Sequence, residues 1–176
     1  MLKTVGIILA VLLAALLLMA SRQPDSFLVE RTVVIAAAPE AIYPTIADLH
    51  QWNRWSPYEK LDPQMKKVFN GTPGAAGASY YWNGNSQAGE GTITVRELMP
   101  PSKITMQLDM LKPIEGHNVI EFNLEPTDGG TRVMWSMRGA NSYLSKVAGL
   151  FMNLDTMIGK DFEDGLASLK SNVETK

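Results

Sequence analysis

The sequence predicts an α+β domain standing behind a separate apolar helix. Three patterns carry that reading: apolar residues alternating with polar ones through the middle of the chain, apolar residues spaced by three and four at its end, and an uncharged apolar run at its start. The alternation describes antiparallel strands with one dry and one wet face. The terminal spacing describes an amphipathic helix able to cover the dry face.

The N-terminal run comes first. No charge falls between Lys3 and Arg22, and Val5 to Ala20 (VGIILAVLLAALLLMA) is wholly apolar or glycine. At about 1.5 Å per residue such a helix just crosses a hydrocarbon core. A buried core helix would carry a polar stripe, and this one has none. A cleaved signal peptide shares the basic start and the apolar run but needs small residues three and one positions before the cut. Leu18 precedes Ala20 and Met19 precedes Ser21, so neither pair suits the peptidase. The expected organisation is therefore a retained transmembrane anchor over residues 1–21, a linker over 22–26 and one domain over 27–176. Lys3 and the α-amino group outweigh Arg22 and Arg31 only narrowly under the positive-inside bias. That balance favours a single-pass protein of a bacterial inner membrane with its domain on the extracytoplasmic side.

Phe27 to Ile35 (FLVERTVVI) is rich in β-branched residues and reads as the first strand. Pro39 suits the first position of a helix that Pro44 shortens or kinks. A second short helix is expected from Asp48, as N-cap, to Trp55, before Ser56-Pro57 ends it. Glycine and proline then punctuate a run of strands. Ile104, Met106, Leu108 and Met110 share one face of Lys103–Met110; Ile120, Phe122 and Leu124 share one face of Val119–Glu125; Val133, Trp135 and Met137 share one face of Thr131–Arg138. Leu154, Ile158, Phe162, Leu166, Leu169 and Val173 form the apolar stripe of the final helix, with Asn153 as its cap. Asp161, Glu163 and Asp164 read as its solvated face. Gly159 and Gly165 interrupt it at about 1 kcal/mol each, which close approach to the sheet or room for a ligand against Phe162 would explain.

The order strand, two short helices, antiparallel strands and long terminal helix resembles the helix-grip fold of the START-like (SRPBCC) superfamily, in particular its polyketide cyclase/dehydrase-like members. The matching pieces are Ala38-Pro39-Glu40; Asp48 with Trp52, Trp55, Ser56 and Pro57; Tyr80-Tyr81-Trp82-Asn83-Gly84; Gly130-Thr131 leading to Trp135; and Asp155 to Leu169 with Ile158-Gly159, Phe162, Glu163, Gly165 and Leu166. Together they span essentially all of residues 27–176. The resemblance implies a curved antiparallel sheet wrapped around the long C-terminal helix, with a cavity between them that takes up lipids, sterols, polyketides or other apolar molecules. The N-terminal span departs from the usual soluble members.

Trp82, Met106, Met110, Trp135, Met137 and Phe162 lie on faces that should point inward, and are the candidate ligand-binding residues. Polarizable side chains of this kind suit a pocket, and they equally suit a plain core. Catalytic parts are scarce. The chain has two histidines, no cysteine, and no motif for a metal, a phosphate cradle or a nucleophile, so no cofactor and no metal are expected. Asp155, Glu90, Asp109 and His117 are the acid/base candidates that would have to enter the cavity. A net charge of −2, from 16 basic and 18 acidic residues scattered along the chain, argues against nucleic acid as a partner. Tyr143 to Met152 is a short amphipathic segment with three open roles: a lid over the cavity, a packed extension of the last helix, or a contact with the bilayer. The leading expectation is a membrane-tethered module binding a lipid-like or isoprenoid-like molecule. An enzyme of cyclase, dehydratase or hydrolase type on a hydrophobic substrate, and a groove that grips a protein, are the alternatives.

Overall fold

A computed structural model describes residues 2–151 and 153–175. Met1, Met152 and Lys176 lie outside the described residues, so the two termini of the expected domains and the end of the Tyr143–Met152 segment are not characterised. Helix α1 runs Leu2–Ser21 and is followed by strand β1 (Ser26–Ile35), helix α2 (Pro39–Ala47) and two 3-10 turns, Leu49–Arg54 and Pro57–Lys60. Strands β2 (Lys66–Asn70), β3 (Ser79–Asn83), β4 (Glu90–Met99), β5 (Lys103–Lys112), β6 (Gly116–Thr127) and β7 (Gly130–Ala140) follow. Helices α3 (Tyr143–Ala148) and α4 (Leu154–Glu174) complete the chain. The alternating residues form longer strands than their sequence limits suggested, because pairing extends past the last apolar side chain on each side.

The seven strands make one antiparallel sheet in the order β1-β7-β6-β5-β4-β3-β2. Each consecutive pair from β2 to β7 is joined by a hairpin, and β1 closes the far edge against β7, Ser26 opposite Ala140 and Ile35 opposite Thr131. Register shifts at Glu90/Gly91 and at Val95/Glu97 leave one extra residue in each strand of the β4–β5 pair, Leu111 in β5 and Arg96 in β4. Such bulges bend the strand and increase its twist, which curves the sheet around α4. This is the helix-grip arrangement, an α+β fold with an apolar helix in front.

The short helix expected over Asp48–Trp55 is present after α2, over Leu49–Arg54. It is 3-10, with the Asp48 carboxylate accepting from His50 N at 3.0 Å. Here the indole N–H groups of Trp52 and Trp55 donate to the carbonyls of Ile46 and Thr45 at 2.9 and 3.2 Å. The tighter turn thus lets both large side chains reach the sheet with their polar atoms satisfied.

The core is not evenly filled. Along the last three turns of α4, Leu166, Leu169 and Val173 join Ile35, Ile42, Ile46, Ile104, Leu124 and Val133 in a closed apolar layer. Trp55, Phe122, Trp135 and Phe162 form the boundary of that layer, with Trp135 stacked on Phe162 at 4.0 Å and on Phe122 at 5.1 Å. Beyond this aromatic wall, toward the start of α4, the sheet and helix diverge.

Candidate functional site: an apolar cavity between sheet and helix

The space beyond the wall is a cavity of about 420 Å³. Its floor comes from the inward faces of β3 to β7, one side from the first two turns of α4, and another from the 3-10 turn Pro57–Lys60. Trp82, Met110, Trp135, Met137 and Phe162 all line it. Met106 does not: it is completely buried under the sheet, and Leu108, two residues further along the same face, reaches the cavity instead. The strand alternation identifies the face, but only the curvature of the sheet decides where along that face the packing opens.

Many lining residues escaped the sequence reading as site residues, Tyr58, Glu59, Tyr80 and Asp161 among them. Tyr58, Glu59 and Tyr80 form a polar corner in which Glu59 pairs with Lys67 and accepts a hydrogen bond from the Tyr80 hydroxyl at 2.7 Å. Asp161 also faces the cavity, which corrects its assignment to the solvated face of α4. The signal was present: Asp161 lies three residues after Ile158 and seven after Leu154, on the same helical stripe. Burial, followed by the nearby Asp164, holds its carboxyl above the usual carboxylate range. Burial and the Asp161 charge raise the Tyr58 phenol in turn, and burial, with Glu59, raises that of Tyr80.

The acid/base candidates lie elsewhere. The Asp155 carboxylate takes two hydrogen bonds from Arg31 at 3.1 Å, and the Arg31 Nε also donates to Glu163 at 2.8 Å. Glu90 accepts from Tyr81 at 2.8 Å and pairs with Lys112 at 2.7 Å. Asp109 and His117 meet at 2.7 Å on exposed strand surface, an interaction that raises the His117 pKa. None of these four residues lines the cavity. Strand alternation already sets Asp109 and His117 opposite the dry faces of β5 and β6, and Asp155 and Glu90 are paired with Arg31 and Lys112 from other elements. Among the described residues there is no group of three or more histidine, aspartate or glutamate side chains placed to hold a metal ion.

The two helix glycines serve close packing. A Cβ at Gly159 would lie 1.9 Å from the Arg31 guanidinium, and one at Gly165 would lie 2.8 Å from the Trp135 ring and 2.9 Å from Pro57. Neither glycine opens space for a ligand.

At one lip of the cavity, Ser142 and Ser145 come from the segment that includes α3. This segment is bound to the start of the chain: the Tyr143 hydroxyl donates to Leu17 O at 2.8 Å, Lys146 pairs with Asp25, and Asn141 N donates to Asp25 O at 2.8 Å. Its apolar side chains are left bare, with Leu144 62% and Phe151 75% exposed. It is therefore not packed as an extension of α4. A second, more open groove of about 500 Å³ separates it from the 23–28 segment.

Solved structures share this architecture at low identity. A protein from Chromobacterium violaceum superposes with a TM-score of 0.60 at 15% identity, covering 86% of this chain and 99% of its own. One from Nitrosospira multiformis gives 0.60 at 22%, covering 84% and 96%. The di-domain aromatase/cyclase StfQ of the steffimycin biosynthetic pathway gives 0.63 at 12%, covering 85% of this chain and 51% of its own, one half of its length. These likenesses establish the fold. No curated protein sequence matches the chain. The family model described as polyketide cyclase / dehydrase and lipid transport matches residues 26–174, from the first strand to the end of α4, and the chain belongs to that family.

Proposed function

We propose that this protein holds an apolar small molecule in the cavity between sheet and α4, at the surface of a membrane in which α1 is anchored. The cavity carries the reading. Its volume falls within the range of roughly 300–1,000 Å³ typical of small-molecule sites, and its walls are mainly aromatic and aliphatic with few polar groups. The family description, which includes lipid transport, supports the same chemistry. Trp82, Met110, Trp135, Met137 and Phe162 are the proposed contact residues.

The tether rests on α1. Lys3–Ser21 has a mean hydropathy of 2.6 and almost none of it is buried against the domain. Its apolar side chains are bare all round, including Val5, Ile7, Leu9, Leu12 and Leu18. Lipid is the solvent that suits such a surface. Residues 22–26 then act as a short linker to a domain over 27–176, and the exposed Leu144 and Phe151 dip into the interface beside the cavity lip. A signal peptide shares the length and composition of α1, and the N-terminal residue of the mature protein distinguishes them.

Enzymatic turnover of an apolar substrate is the second reading. It is favoured by Tyr58 and Asp161, the two groups on the cavity wall with shifted proton affinities and no protein partner among the described residues. Native mass spectrometry of the full chain, released gently from detergent, tests the binding reading. A co-purifying apolar molecule lost on Met137→Trp supports it, and a consistently empty chain refutes it.

A further inference from the structure

The formal charge on the cavity wall is one-sided. Three carboxylates line it, Glu59, Glu115 and Asp161, while no lysine, arginine or histidine does so among the described residues. The three are not equivalent. Glu59 is neutralised by Lys67 and occupied by Tyr80, and Glu115 lies exposed in the loop between β5 and β6. Asp161 has neither a salt bridge nor a hydrogen bond among the described residues, because its neighbour Lys160 turns away to Asp164 at 3.1 Å. The hydroxyl of Tyr58, a partly buried residue on the same wall, also has no hydrogen-bond partner among the described residues.

An unpaired carboxylate and an unpaired hydroxyl on one wall of a mainly apolar cavity make demands on what fills it. Both accept hydrogen bonds, so a ligand N–H or O–H satisfies them, and a positive charge also complements the partly buried carboxylate. The surrounding rings of Trp82, Tyr58 and Trp135 favour a cation over an anion for the same electrostatic reason. A carboxylate or phosphate would meet repulsion with no cation on the wall to compensate.

We propose that the ligand is an apolar amine whose protonated nitrogen sits against Asp161 and Tyr58, and that the cavity rejects fatty acids and phosphate-bearing amphiphiles. This rests on the binding reading above and narrows it to a ligand class. Matched naphthalene probes separate the two: 2-naphthylethylamine, 2-naphthylethanol and 2-naphthylacetate share ring and chain and differ in charge. They are titrated calorimetrically at neutral pH into the full chain in nonionic micelles, with empty micelles subtracted. The expected order is amine, alcohol, carboxylate, with roughly tenfold or more between first and last. Asp161→Asn should bring the amine down to the level of the alcohol and leave the alcohol within about twofold, while Tyr58→Phe should weaken both. A carboxylate that binds as well as the amine, or an amine lead that survives Asp161→Asn, overturns the ligand class while leaving the binding reading intact. No binding by any of the three probes overturns both.

Discussion

Replacing Gly165 by alanine sets two effects of known sign against each other. Alanine is favoured over glycine inside a helix by about 1 kcal/mol, so on propensity alone the substitution stabilises α4. The new methyl would, however, lie 2.8 Å from Trp135 and 2.9 Å from Pro57, where apolar carbons prefer about 3.5–4.0 Å. Neither neighbour yields easily. The Trp135 ring is stacked between Phe162 and Phe122, and Pro57 is locked into the backbone of its 3-10 turn. Overpacking of this kind costs about 1–3 kcal/mol, so the net change is a loss of about 1 kcal/mol and at most about 2. With a urea slope of about 2 kcal/mol per molar, the unfolding midpoint followed by circular dichroism should fall by about 0.5 M. A midpoint that rises instead would mean that α4 rides loosely over the sheet, and the aromatic wall would lose its role as the rigid end of the cavity.

Other substitutions probe the remaining parts. Phe162→Ala removes a fully buried ring from that wall and should cost about 3–5 kcal/mol, lowering the melting temperature by about 6–20 °C; a shift under about 2 °C would place Phe162 outside the cooperative core. Burial raises the phenols of Tyr58 and Tyr80 above their ordinary value of 10.0, so the folded state keeps their protons when the unfolded state releases them. Stability from this source is complete below that value and declines as pH rises past it. Melting temperatures across the alkaline range should therefore fall less steeply in Tyr58→Phe than in the parent, and equal slopes would contradict the burial of the hydroxyl. Leu12→Arg puts a charge at the middle of α1 at a cost of about 2.5–3.5 kcal/mol to membrane insertion. The variant should shift toward the carbonate-soluble fraction, and full retention in the membrane pellet would contradict a single-helix anchor.

The architecture was largely legible because its signals are local. Period-two alternation in β5, β6 and β7 reports a sheet with one dry face, and the stripe from Leu154 to Val173 reports the helix that covers it. The short strand β2 was less visible: Lys66–Asn70 is mostly exposed at the sheet edge and carries little apolar pattern. The short helix capped by Asp48 was legible as a helix, while its 3-10 form answers the tertiary demand of Trp52 and Trp55.

The cavity was legible only in outline. By itself the sequence determined the α+β class, the apolar helix in front, and an inward face carrying Trp82, Met110, Trp135, Met137 and Phe162, because each follows from the side-chain period of one element. Tertiary structure alone decided that Met106 is sealed in the core while Leu108 meets open space, and that Asp155 is held outside by Arg31. Those outcomes depend on how far the curved sheet stands from α4 at each level and on which charged partner arrives from a distant strand. Neither is encoded in the spacing of residues along one element.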